Sequence, residues 1–235
     1  MKPYKLIPIQ ECGEPLLPIP SEIFAFVLPH PYAKVGAPYG DKSPFYLRES
    51  VLNSLVTAQK DLQERYSGWR IQIFDAYRPI AVQRFMVDHT FRELVQASGL
   101  ALETLTAKQQ QEIWEQVYGF WAVPSDDPAT PPPHSTGSAV DVTLVDETGQ
   151  PVDMGSQIDE LSPRSFPGHF ADSQLPQEQQ YHRHRQLLRE VMVNAGFQPH
   201  PHEWWHFCLG DQMWAWLVNQ EDPARGAIAR YGAIA

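Results

Sequence analysis

Two short polar segments about seventy residues apart most constrain what this chain can fold into. They are His134-Ser135-Thr136-Gly137-Ser138-Ala139-Val140-Asp141 and Glu203-Trp204-Trp205-His206. Together they offer two imidazoles and one carboxylate as metal ligands, with a second carboxylate to spare. That inventory fits a catalytic zinc site, in which three protein ligands leave a fourth position for water. A structural zinc site usually fills all four positions with Cys and His, and this chain has only Cys12 and Cys208. Zinc lowers the pKa of bound water, and a free carboxylate takes its proton during attack on a carbonyl. Taken singly, His134 is an ordinary loop histidine and Asp141 a strand-end carboxylate. Taken jointly, a His, a Gly that permits an unusual backbone angle, two small residues and an Asp entering a strand point to a segment folded round one centre.

Composition narrows the function classes. A chain of 235 residues suits one domain with a sizeable core. A formal net charge of −10 argues against a nucleic-acid surface. Two widely spaced cysteines fit a reducing compartment better than a disulfide scaffold. The start, Met1-Lys2-Pro3-Tyr4-Lys5, leads into a Pro-broken stretch and not into a signal-type apolar run. No window approaches the roughly 18 apolar residues of a membrane span. The expectation is a soluble, cytoplasmic protein of unknown oligomeric state, without nucleic-acid or membrane partners.

Residues 12–45 are rich in Pro and Gly and read as loops with a short strand at Ile23–Leu28. Helical spacing runs over 47–66, roughly 79–98 after Pro79, 106–121, Gln177–Ala195 and Asp211–Asn219. Gly196 is a natural residue to follow the fourth of these. Strands are expected at Ile71–Phe74, Ala139–Val145 and Trp204–Leu209. Pro124–Pro133, half of it proline, must be a loop that delivers the chain to His134. Helices and strands are interspersed without a βαβ rhythm, which predicts an α+β fold. The domain is expected over 1–221, with a weakly patterned, partly disordered tail over 222–235.

His202-Glu203-Trp204-Trp205-His206 also matches HExxH, the helical zinc motif in which the Glu is the base. Pro199 and Pro201 before it, Gly210 after it and its β-favouring aromatics disfavour that helix. In a regular strand, however, Glu203 and His206 face opposite sides. For both to reach one zinc, Glu203 must sit in a turn or bulge before the strand begins. His30, His89, His169, His182, His184 and His200 lack a comparable setting, and His182 and His184 read as exposed helix residues.

These motifs carry a resemblance. His134–Asp141 resembles the HSxGxAxD segment of the zinc D,D-peptidases related to D-alanyl-D-alanine dipeptidase. Glu203–His206 resembles that family's ExxH segment, and Asp75-Ala76-Tyr77-Arg78-Pro79 its (D)xYRP segment, in the same order. The likeness spans roughly 32–210 and is closest to the dipeptidase branch, through Tyr32-Ala33, Met154–Asp159 and the paired Trp204-Trp205. It implies a single domain with a small, mainly antiparallel sheet flanked by helices, as in the hedgehog and D,D-peptidase folds. It also implies one zinc per chain on His134, Asp141 and His206, with Glu203 as general base and Arg78 at the oxyanion. Tyr32, Asp159 and Ser135 would contact the substrate, the first two through its free ammonium. One departure is Pro132, where the family commonly has a Ser that contacts the dipeptide; substrate preference is put in doubt there.

The implied activity is hydrolysis of D-alanyl-D-alanine or a similar D,D-dipeptide to free amino acids. The alternatives are a D,D-carboxypeptidase or endopeptidase of peptidoglycan stem peptides, or an inactive, zinc-stabilised binding domain. Arg78 paired structurally with Asp75, and Tyr32 and Asp159 as ordinary loop residues, are the plain readings beside these roles.

Overall fold

The computed structural model describes residues 2–234. Its strands are β1 (Leu16–Pro18), β2 (Ala25–Phe26), β3 (Tyr46–Arg48), β4 (Arg70–Asp75), β5 (Ala139–Val145), β6 (Gln198–Pro199) and β7 (His206–Cys208). Its helices are α1 (Pro31–Lys34), α2 (Glu49–Arg65), α3 (Ile80–Ala97), α4 (Ala107–Phe120), α5 (Pro176–Asn194) and α6 (Gln212–Glu221). The main sheet has the order β2-β4-β5-β7-β6. β2 lies parallel to β4 and the remaining pairings are antiparallel. The fold is therefore α+β, with the small, mainly antiparallel sheet that was expected. β1 and β3 form a separate antiparallel pair.

β4 and β5 form the centre because they carry the apolar alternation a half-buried strand needs. Ile71 pairs with Leu144 and Ile73 with Val142. These four share one core with Val51, Leu55 and Leu62 of α2 and Leu188 and Val191 of α5. The helical residues recur at spacings of three, four and seven, which puts them on one face of each helix. A second cluster joins α3 and α4, where Phe91 and Trp114 stack with ring centroids 4.2 Å apart. Trp121 belongs to it and brings its edge to the cleft, with the Tyr32 ring packed against it. Thr106 and Gln109 cap α4 reciprocally, a motif that satisfies two otherwise orphaned backbone donors.

Three expectations need correction. The strand expected over Ile23–Leu28 is only Ala25–Phe26, and that over Trp204–Leu209 is only His206–Cys208. Both are shortened by turns at their ends. The segment from Asp222 onward is packed against the domain instead of fraying. Ala229 and Tyr231 are buried, Gln10 and Cys12 donate backbone hydrogen bonds to Ala229 and Arg230, and Ile234 donates to the Ser135 carbonyl. Small residues gave little periodic signal there, yet they let the backbone lie close to the N-terminal segment. Both cysteines are free.

Candidate active site

The sheet's register aligns three functional side chains. Asp75 of β4 sits opposite Asp141 of β5, which sits opposite His206 of β7. Directly opposed residues of antiparallel strands project to one face. Asp141 alternates with Val140 and Val142, which belong to the core, so its carboxylate lies on the other face of β5. A register shift between Ile73 and Asp75 supplies the matching step on β4. Without it Phe74 would oppose Asp141; with it a carboxylate does. Bulges re-aim side chains in this way beside functional sites.

His134 reaches the same place from the turn Pro133–Thr136 just before β5. Gly137 ends that turn with φ 71°, a left-handed angle that glycine adopts at little cost. His134 Nδ1 donates to the Ala76 carbonyl at 2.7 Å, which leaves the Nε2 lone pair facing the cluster. Nε2 is 3.2 Å from Asp141 Oδ2 and 3.2 Å from His206 Nδ1, and His206 Nδ1 is 2.9 Å from Asp141 Oδ1. These three residues are the group of ligating side chains found among the described residues. A tetrahedral ion with bonds of about 2.0–2.1 Å separates its ligands by about 3.3 Å, so the spacing fits a zinc-sized ion. The other ring nitrogen of His206, Nε2, is buried without a hydrogen-bond partner. That leaves the Nδ1 side as the one that meets the other donors. Burial works against the charge of Asp141, yet His134 and His206 hold its carboxyl far below the usual range.

Glu203 lies in the turn before β7, the position its three-residue offset from His206 demanded. Trp204 N–H donates to Ser165 O and Val142 N–H to Trp205 O; these bonds fix the turn against the sheet. The carboxylate is buried, with oxygens 3.7 Å from His200 Nδ1 and 4.0 Å from His206 Nδ1. Burial, then the charges of Asp141 and Asp159, push its pKa well above that of a free glutamate. His202 stands exposed in the same turn, which removes the helical HExxH reading.

Arg78 occupies the back of the cleft. Its Nε donates to Asp75 Oδ2 at 2.8 Å, Nη1 to Gln83 Oε1 at 2.9 Å, and Nη2 to Tyr32 Oη and Asp141 Oδ2, both at 3.2 Å. Of the five N–H donors of a guanidinium, one on Nη1 remains uncommitted. The Asp75 pairing is thus real and coexists with a place in the cleft. Burial favours a neutral Asp75, but Arg78, His30 and His134 hold its carboxyl below the usual range. Tyr32 is 2 % exposed, and its hydroxyl donates to Asp159 Oδ2 at 2.7 Å. Asp159 has φ 64° and is half-buried; burial, then the Asp141 charge, push its carboxyl up to about 6.

Ser135 is placed otherwise than expected. Its hydroxyl donates to the Arg78 carbonyl at 2.8 Å, so it holds the Arg78 backbone and is not turned to the cleft. His182 and His184 are half-buried on α5, with His184 Nδ1 donating to Asp153 O at 2.7 Å. Two histidines set aside in the sequence also belong to the site. His30 Nε2 lies 3.1 Å from Asp75 Oδ1, and His200 lies against Glu203. Nothing local marks His30, whose partner is 45 residues away. His200 stands three residues before Glu203, and that spacing was the available signal. Lys2 and Tyr4 also line the cleft, with no sequence signal at all.

One cleft thus gathers a carboxylate–imidazole cluster that could hold a metal ion, a buried further carboxylate and an arginine, a set suited to metal-assisted hydrolysis. Residues 27–224 match the family described as D-ala-D-ala dipeptidase. The chain is 53% identical to a D-alanyl-D-alanine dipeptidase of Synechocystis sp. over 100% of its length and 97% of that protein. It is 36% identical to a D-alanyl-D-alanine dipeptidase of Escherichia coli over 49% of this chain and 58% of that one. With one of Enterococcus faecium it shares 42% identity over 34% of this chain and 37% of that one. The chain belongs to the D-ala-D-ala dipeptidase family of peptidases.

Proposed function

We propose that the protein is a zinc-dependent dipeptidase that hydrolyses D-alanyl-D-alanine, or a similar D,D-dipeptide, to free amino acids. The observation that carries this is the buried Glu203 carboxylate beside the convergent ligand atoms of His134, Asp141 and His206. Zinc bound at those three residues supplies an acidified water and polarises the scissile carbonyl. Glu203 takes the proton of the attacking water, which its raised proton affinity favours, and passes it to the leaving amine. Arg78 offers its remaining Nη1 donor to the oxygen on which negative charge develops, a contact that strengthens as the charge grows. Asp75 and Gln83 fix the guanidinium for that task. Asp159, oriented by Tyr32, pairs with the substrate ammonium and disfavours longer chains, which bring no charge there. Ser135 supports Arg78 through its backbone.

No helix among the described residues is long and apolar enough to cross a membrane, and the net charge is −10; both agree with a cytoplasmic enzyme acting on a free dipeptide. The test is release of alanine from D-Ala-D-Ala, L-Ala-L-Ala and N-acetyl-D-Ala-D-Ala by the zinc-loaded protein. Hydrolysis of the first alone is expected. Cleavage of the acetylated compound would make it a carboxypeptidase, and no cleavage of any would make it a binding domain.

A further inference from the structure

The zwitterionic dipeptide carries a carboxylate as well as an ammonium, and the loop before β5 offers little to receive it. Pro132 and Pro133 have neither a hydroxyl nor a backbone N–H, and the Ser135 hydroxyl is committed to Arg78 O. Arg78 has four of its five donors engaged within the protein. The other Lys or Arg side chain lining the cleft is Lys2.

The N-terminal segment is strapped in place and does not lie there by default. Gln212 of α6 donates to Ile7 O at 2.6 Å and to Ala129 O at 3.0 Å, and Lys5 Nζ donates to Thr130 O at 3.5 Å. Those contacts seat the turn Pro3–Leu6 against the same loop that carries Pro132 and Pro133. Tyr4 is 6% exposed, and Lys2 is half-buried. The Glu203 carboxylate lies 3.7 Å from His200 Nδ1 and 4.0 Å from His206 Nδ1, and it forms no ion pair with Lys2. Desolvation lowers the proton affinity of Lys2, and the Glu203 charge opposes that. Lys2, Glu203 and Asp159 line the same cleft as His134, Asp141 and His206. The cleft therefore holds one cation besides Arg78 and one carboxylate besides Glu203 and the ligand Asp141, a pair that matches the two charged ends of a dipeptide.

We propose that Lys2 binds the carboxylate of the dipeptide's C-terminal residue, on the side of the cleft lined by Pro133, which gives no hydrogen bond. This rests on the dipeptidase reading above. A single charge-assisted contact of this kind changes affinity by about tenfold or more.

The test uses metal-loaded protein with its native N-terminus, and compares Lys2→Met and Lys2→Arg with the wild type. Substrates are D-Ala-D-Ala and D-alanyl-D-alaninamide, which lacks the carboxylate. Lys2→Met is expected to raise KM for the acid about tenfold or more, with kcat changed by less than about threefold and the amide unaffected. Lys2→Arg should restore part of the loss, and thermal unfolding of the three proteins should coincide. Calorimetric affinity of Glu203→Gln for D-Ala-D-Ala, with and without Lys2→Met, reads the same contact without turnover. Equal losses on acid and amide overturn the proposal, as does a fall in kcat alone, which would mark Lys2 as a modulator of Glu203. Unchanged constants in an active wild type overturn this inference only. A wild type that neither binds nor cleaves the dipeptide overturns the dipeptidase reading and this inference together.

Discussion

A carboxylate buried beside two others is an unusual thing for a chain to keep, and Glu203 shows why position decides its chemistry. Burial and the charges of Asp141 and Asp159 raise its proton affinity, which suits a base that must hold and then release a proton. Glu203→Gln preserves shape and removes that capacity. Turnover should fall on the order of 10²–10⁴-fold, while zinc content measured by absorption spectroscopy stays at one per chain; retained turnover would remove Glu203 from the reaction. Arg78→Lys keeps a charge but not the fork that meets Asp75, Gln83 and Tyr32. A loss in kcat on the order of 10²-fold, larger than any rise in KM, is expected if the arginine serves the oxyanion.

Asp159 gives the residue scale a pH signature. Its carboxyl is raised to about 6, first by burial and then by the Asp141 charge. Below that pH it is protonated and offers no charge to an ammonium; above it the pairing is available. A cation held by Asp141 offsets the second of those causes, so the acid limb of kcat/KM for D-Ala-D-Ala should lie at or below that value, with a fall of about tenfold per pH unit beneath it. Asp159→Asn should have a raised KM and lose this limb. A wild-type profile identical to that of Asp159→Asn would detach Asp159 from substrate binding.

At the scale of elements, the site depends on how two strands and one turn are joined. The bulge in β4 exchanges Phe74 for Asp75 opposite Asp141, and no sequence period announces it. Gly137 is the other joint. At φ 71° a Cβ would meet Leu16 Cδ2, and the Arg48 backbone and Cγ stand close behind. Leu16 is half-buried and must turn its tip aside, and the left-handed angle itself strains any residue with a Cβ. Gly137→Ala should destabilise the fold by about 2 kcal/mol, read by chemical denaturation; an unchanged midpoint would show that the turn relaxes freely.

Legibility followed element length and the reach of each contact. β5 was legible over its whole span because seven consecutive strand residues hold an apolar pattern. α2 to α5 were legible within a few residues because several helical turns repeat the signal. β2 was located within Ile23–Leu28 but not bounded, β6, two residues long, is shorter than any period can mark, and β1 and β3 pair across a Pro-rich stretch that hides them. The metal ligands stood out because motif spacing concentrates them, whereas His30 and Lys2 join the site through tertiary packing alone and His200 only through its offset of three from Glu203. Ser135 shows the converse: a motif residue whose hydroxyl the fold directs to the backbone of Arg78.

The whole molecule ties site to stability. The ligands come from two distant segments, the turn and strand His134–Asp141 and the strand start at His206, and they converge only when β5 and β7 pair. An unfolded chain has no such site, so an ion that binds there stabilises the native state alone. At a free concentration a hundredfold above the dissociation constant this amounts to about 2.7 kcal/mol. For a domain of this length each kcal/mol moves the midpoint by about 2–4 °C. Zinc should therefore raise Tm by about 5–10 °C over chelated protein, and a chelator should reverse the gain. His206→Ala removes a donor and should abolish the response, whereas Glu203→Gln leaves all three ligands in place and should retain it. An equal zinc response in His206→Ala would place the bound metal elsewhere on the surface, while loss of the response in Glu203→Gln would make the glutamate a ligand and not a base.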